Sequence, residues 1–155
     1  MRSLNAFLTA TMLLLPLTLR AEEPQFAVRV RTVRTLDHVT REEAHGARHM
    51  DGKLHDISSK LLKLPYRSFQ LLSTQKADIK LMTKETLSLP DDRKVTIRPL
   101  KMDEDRICMW IKWVDADGST IIDSRMHFNT GEAMISGSEQ SDEEGLVLAI
   151  EVMPK

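Results

Sequence analysis

Apolar side chains alternate with polar ones from the start of the chain's charged region. Phe26, Val28 and Val30 are interleaved with Ala27, Arg29 and Arg31. A period of two over this stretch predicts a strand with one apolar face and one basic face. The pattern continues past a local irregularity at Thr32-Val33 to Leu36. The polar stretch from Asp37 to Met50 carries three of the five histidines and reads as a loop or a short, weakly amphipathic helix. At Asp51-Gly52 the period changes. Leu54, Ile57, Leu61 and Leu64 recur at three- and four-residue spacing, which predicts a helix over about 52–64 with one apolar stripe. Asp51 is placed to cap its first N–H groups, and Pro65 stops it. A single stripe must be buried against something, and a sheet is the expected partner.

From Tyr66 the period returns to two. Candidate strands cover Tyr66 to Ser73, Ile79 to Leu89, Val95 to Lys101, Arg106 to Val114, Thr120 to Phe128, Ala133 to Ser136 and Leu146 to Met153. Leu89-Pro90-Asp91-Asp92-Arg93-Lys94 has the composition of a tight turn. Short strands joined by such turns predict consecutive antiparallel pairing. One hairpin can be registered residue by residue. A two-residue type I′ turn on Asp117-Gly118 sets Ile107 opposite Phe128, Met109 opposite Met126 and Trp113 opposite Ile122 on one face. The other face then holds Cys108 opposite His127, Trp110 opposite Arg125 and Lys112 opposite Asp123. A slip of one residue would mix the two faces. A three-residue turn at Asn129-Thr130-Gly131 would set Met126 opposite Met134.

The expected fold is therefore α+β: an antiparallel sheet of about seven to eight strands, as a sandwich or partial barrel, with one main helix (about 52–64) packed on it. The chain has 155 residues, 41% of them apolar and 29% charged, the proportions of one globular domain. Its first segment has a different character. Met1-Arg2-Ser3 is followed by an uncharged stretch from Leu4 to Leu19, then Arg20-Ala21 and Glu22-Glu23-Pro24. This is the layout of a signal peptide over 1–21, cut after Ala21, leaving one secreted or periplasmic domain over 22–155. The alternative, an uncleaved anchor, is short for a hydrocarbon core of roughly 30 Å and contains Pro16. No later apolar run reaches spanning length, so no membrane span is expected after cleavage.

Loss of Arg2 and Arg20 would move the net charge from −1 to −3, which argues against nucleic acid as a partner. Cys108 is the sole cysteine, so no intramolecular disulfide can form. The acidic segment from Ser138 to Gly145 reads as a solvated, mobile loop, with docking or cation attraction as the alternative.

Candidate chemistry is sparse. Glu42, His45 and His49 would share one face of a helix, with His55 nearby, and imidazole with carboxylate suits zinc or copper. Gly46 weakens such a helix, and no His-Glu-x-x-His motif supplies a general base. Cys108 beside His127 pairs a thiol with a base, but a strand offers neither a cleft nor an oxyanion hole. Asp115-Ala116-Asp117-Gly118 resembles part of a calcium loop; aligned on its glycine, the twelfth position is Ser124 where an acid is required. Met82, Met102, Met109, Met126 and Met134 fall on strands, mostly on apolar faces, as core residues do. Trp110 with Arg125, and with Arg29 and Arg31, is a candidate stacking platform. No phosphate-binding glycine loop, nucleophile elbow or Cys-x-x-Cys is present, so no cofactor is expected outside the metal alternative.

Three stretches carry a resemblance: MDGKLHDISSKLLKLPYRSFQLL from Met50 to Leu72, LSLPDDRKVTIRPL from Leu87 to Leu100, and Ile122 to Val152 with its Gly-Glu-Ala-Met-Ile-Ser-Gly-Ser turn. Over residues 50–153 the chain resembles a loosely defined set of small secreted or periplasmic bacterial α+β proteins without assigned activity. The resemblance implies an envelope location and carries over no catalytic residue. The closing strands are also similar to a strand pair near the end of outer-membrane secretins, although no pore-sized strand set or repeated module accompanies them. The expected function is a non-enzymatic protein-interaction or envelope-assembly accessory module whose edge strands pair with an envelope protein. The alternative is a metal-binding protein using His45, His49 and His55.

Overall fold

The computed structural model describes residues 23–39, 46–139, 141 and 143–155. The signal-peptide reading of 1–21, and Glu42 and His45, lie outside them. Nine strands among the described residues form two sheets. The five-stranded sheet has the order β2 (His49–Met50), β3 (Tyr66–Lys80), β1 (Gln25–His38), β9 (Glu144–Pro154), β8 (Met134–Glu139). The four-stranded sheet follows chain order: β4 (Glu85–Ser88), β5 (Lys94–Asp103), β6 (Arg106–Val114), β7 (Thr120–Asn129). A shared core of Phe26, Val28, Val30, Ile97, Met109 and Trp113, among others, joins the two as a sandwich.

Pairing is consecutive in the four-stranded sheet and in the β8–β9 hairpin. It is not consecutive around β1, which lies between β3 and β9. The ninth strand is β2, two residues paired parallel to β3, in a stretch the sequence presents as loop or helix. The irregularity expected at Thr32-Val33 is present against β3, where Thr32 faces Ser73 and Val33 faces Leu71, leaving Leu72 as the extra residue. Against β9 the same strand runs without a shift.

Several predicted elements differ. The stretch Ile79 to Leu89 is not one strand: its start belongs to β3, and the chain changes sheets before β4. The crossing is made with Met82 at φ 63°, its N–H bonded to Pro99 O at 2.8 Å. The helix is shorter and tighter than 52–64. A 3-10 helix spans Gly52–Ile57, and one α-helical turn, α1, spans Ser58–Leu61. The Asp51 side chain accepts from Lys53 N at 3.0 Å, the expected cap. In a 3-10 helix residues three apart eclipse, so Leu54 and Ile57 point together at the sheet. With Leu61 they are buried against Val33, Phe69, Val147 and Ala149 on the face of the five-stranded sheet opposite the sandwich core. That sheet is covered on both faces.

The Met126–Met134 pairing does not form. β7 and β8 belong to different sheets, and Met134 pairs with Ile150. Gly131 takes φ 75° and donates to Val152 O at 2.9 Å, turning the chain from one sheet to the other. Both methionines still pack against the sandwich core. The segment from Ser138 to Gly145 is not a long loop either, since β8 extends through Glu139 and β9 begins at Glu144.

Candidate functional site

The β6–β7 hairpin carries the register read from the sequence. Ile107 faces Phe128, Met109 faces Met126 and Trp113 faces Ile122, while Cys108 faces His127, Trp110 faces Arg125 and Lys112 faces Asp123. The turn differs from the expected type I′. Gly118 N–H donates to Asp115 O at 3.0 Å, and Asp115 N–H donates to Ser119 O at 2.8 Å. A three-residue loop results, with Gly118 alone at positive φ, 86°. Asp117 avoids the left-handed region and accepts from Ser119 N at 2.8 Å; the Ser119 hydroxyl first, and this N–H second, hold its carboxyl below the ordinary range. The register shift between Trp113 and Val114 then returns the pairing to the predicted one. Turn chemistry, rather than a cation, accounts for these aspartates.

β7 is the outermost strand of its sheet. Of its ten residues only Phe128 is buried. β8 and β4, the other edges of more than two residues, have six and four residues. β7 is thus the longest of the outermost strands among the described residues, although β3 is also bonded on one side only, to β1, from Gln70 to Lys80. The outward face of β7 continues across β6 and β5: Arg98, Trp110 and Arg125 form one row over three strands. Trp110 Nε1 donates to Asp123 Oδ1 at 2.7 Å, and Lys84 Nζ lies 5.2 Å from the indole centroid. Arg98 is held by Met82 O at 2.9 Å. Lys84 had no sequence signal as a neighbour of Trp110, because it follows the sheet change at Met82, whereas Arg98 is the cross-strand partner of Trp110 in the β5–β6 pairing, whose register the sequence analysis did not assign.

Arg29 and Arg31 are not part of that face. They lie on the five-stranded sheet, beneath the 3-10 helix. Arg31, with 4% of its side chain exposed, binds Asp56 Oδ1 at 2.6 Å and lies 3.8 Å from Glu151 Oε2. Arg29 pairs with Glu151, its cross-strand neighbour on β9. The Arg31 hydrogen bond holds the Asp56 carboxyl below its ordinary range. The basic face of β1 is therefore a covered ionic cluster. Its sequence signal is Glu151, the one charge inside an apolar run.

Of the histidine set, His49 is exposed on β2 and His55 is exposed in the 3-10 helix. No group of three or more His, Cys, Asp or Glu among the described residues is arranged to hold a metal ion. Cys108 is half-buried and His127 exposed; among the described residues neither hydrogen-bonds the other. A cleft of about 230 Å3 lies between Leu64–Tyr66 and the β8–β9 hairpin, with Glu139 its one charged lining residue among the described residues. At that hairpin Ser141 Oγ accepts from Glu144 N at 3.1 Å, and Glu144 pairs with Arg34 at 2.9 Å.

The chain matches no family model and no curated protein. Among solved structures it is similar to the T2SS secretin XcpQ from Pseudomonas aeruginosa, at 10% identity and a TM-score of 0.38. The match covers 88% of this chain and 60% of the secretin chain. A likeness of that size carries no argument about fold or function, and it does not test the analogy drawn from the closing strands. Among the described residues no helix is long and apolar enough to cross a membrane.

Proposed function

We propose that the protein is a non-enzymatic, secreted or periplasmic interaction module that takes a partner strand on the open edge of β7. One observation carries this reading. A ten-residue strand, in regular register from Ile122 to Asn129, is hydrogen-bonded on one side only, and six of its residues are exposed. Unpaired edges are templates for strand addition, in which main-chain bonds supply affinity and alternate side chains supply specificity. The N-terminal pattern of 1–21 and the resemblance to small secreted bacterial proteins support the compartment. They also support an envelope protein as the partner.

Proline at an outward-facing N–H removes a donor to the partner and none to β6. Arg125→Pro is such a change. Cross-linked co-purification from the cell envelope is expected to recover a stoichiometric partner with the wild-type chain and to lose it with Arg125→Pro. Thermal unfolding should stay cooperative. A folded Arg125→Pro chain that keeps its partner would remove β7 as the docking edge.

A further inference from the structure

The open edge has an internal symmetry. From Ile122 to Met126 the sequence is Ile-Asp-Ser-Arg-Met. Read outward from Ser124, it places an acid against a base, then an apolar residue against an apolar residue. The backbone carries the same symmetry. Thr130 N–H donates to Asp105 O at 2.9 Å, and the β6–β7 pairing runs without a shift from Asn129 to Ile122. Hydrogen-bonded and non-hydrogen-bonded pairs alternate along an antiparallel ladder. Even-numbered residues from Phe128 to Ile122 therefore turn their N–H and C=O groups toward β6. Asp123, Arg125 and His127 turn theirs to the open side.

The geometry points to a second copy of this chain as the strand that β7 accepts, in an antiparallel pair centred on Ser124. This rests on the reading of β7 as the docking edge. Around a twofold axis at Ser124, Asp123 of each copy faces Arg125 of the other. These are the residues with outward backbone groups, so each such pair exchanges both main-chain hydrogen bonds. Asp123 and Arg125 are exposed, and among the described residues Arg125 has no ion-pair partner. On the inner face Ile122 meets Met126 of the other copy. Both are partly buried against the sandwich core and gain cover from the pairing. The two four-stranded sheets become one continuous sheet through an isologous interface.

Neighbouring registers are disfavoured by the same residues. Centring on Arg125 sets two guanidinium groups opposite each other, and centring on Asp123 sets two carboxylates opposite. Centring between residues pairs outward backbone groups with inward ones and forms no ladder. One strand pair is a modest contact, so association should depend on concentration and weaken with salt.

Sedimentation of the exported, processed protein across a concentration series tests this. The wild type is expected to dimerise. Asp123→Arg and Arg125→Asp, made singly, each set like charges opposite and should weaken the dimer by about tenfold or more, since the axis counts each change twice. The double variant Asp123→Arg/Arg125→Asp restores opposite charges and should dimerise like the wild type. Circular dichroism melts identify any variant that fails to fold. A dimer unaffected by either single change would place the interface elsewhere and overturn the proposal. A wild type that stays monomeric overturns it as well. In that case a partner still lost with Arg125→Pro leaves β7 as a docking edge for another protein, whereas no partner sensitive to that change removes both readings.

Discussion

β9 and β7 have nearly equal lengths, eleven and ten residues, and meet opposite surroundings. β9 is hydrogen-bonded on both sides, by β1 and β8, and both its faces are covered. Every residue from Gly145 to Val152 is buried. β7 is bonded on one side and covered on one face, and most of its residues are exposed. A nearly continuous apolar run belongs to the first setting and an alternating pattern to the second. The difference shows where this molecule spends its side chains. The five-stranded sheet buries β9 on both faces, while the outer edge and outer face of the four-stranded sheet stay exposed.

The largest expected effect compares two tryptophans on one strand. Trp113 is fully buried in the sandwich core, and Trp110 lies on the outer face. Truncation of Trp113 to alanine should cost about 3–5 kcal/mol in urea unfolding. Trp110→Ala should cost well under that, within about 1 kcal/mol, because it removes a half-buried ring and leaves no interior cavity. Equal losses would mean that the outer face is not a separate, tolerant layer.

A second comparison sets Glu151 in β9 against Asp123 in β7. Glu151 has 11% of its side chain exposed and faces the buried Arg31 and the partly buried Arg29. Glu151→Ala leaves Arg31 buried with reduced compensation, and a loss of about 3 kcal/mol is expected in the same assay. Asp123→Ala removes an exposed carboxylate and should change stability by about 0.5 kcal/mol or less. The sharper contrast is that Asp123 should matter for association and Glu151 for folding.

The smallest effect concerns pH. Asp56 is held below the ordinary carboxylate range by Arg31, so its folded pKa is depressed. Its contribution is present above the unfolded pKa and is lost as pH falls through the folded value. Asp56→Asn should therefore lower stability at neutral pH and flatten the acid limb of the stability profile. Asp117 is depressed by its Ser119 bonds and carries the same sign. Added salt should erode the Asp56 contribution, which involves charge pairing, more than that of Asp117. Urea melts from neutral to strongly acidic pH, with and without salt, separate the two.

Much of the outer face was legible beforehand, because cross-strand neighbours in a hairpin follow from a period of two and a turn position. That reasoning correctly set Trp110 beside Arg125 and Lys112 beside Asp123. It misassigned Arg29 and Arg31 to the same surface. Alternation tells which residues share a face of one strand and is silent on which layer covers that face. Lys84 reaches Trp110 through a sheet change at Met82, whose left-handed backbone no local composition announces, and Arg98 reaches it across the β5–β6 pairing.

Elements with local causes were readable from the residues alone. These are the Asp51 cap, the apolar stripe of Leu54, Ile57 and Leu61, the irregularity at Thr32-Val33, and the β6–β7 register. Each depends on residues near one another in the chain or on the pleat's period of two. Tertiary structure alone decided that β1 lies between β3 and β9, that Met126 and Met134 sit in different sheets, and that a 3-10 helix covers a basic strand face. Those outcomes follow from closing two sheets around one core and a helix around another. The free energy for that comes from burial between segments far apart in the chain.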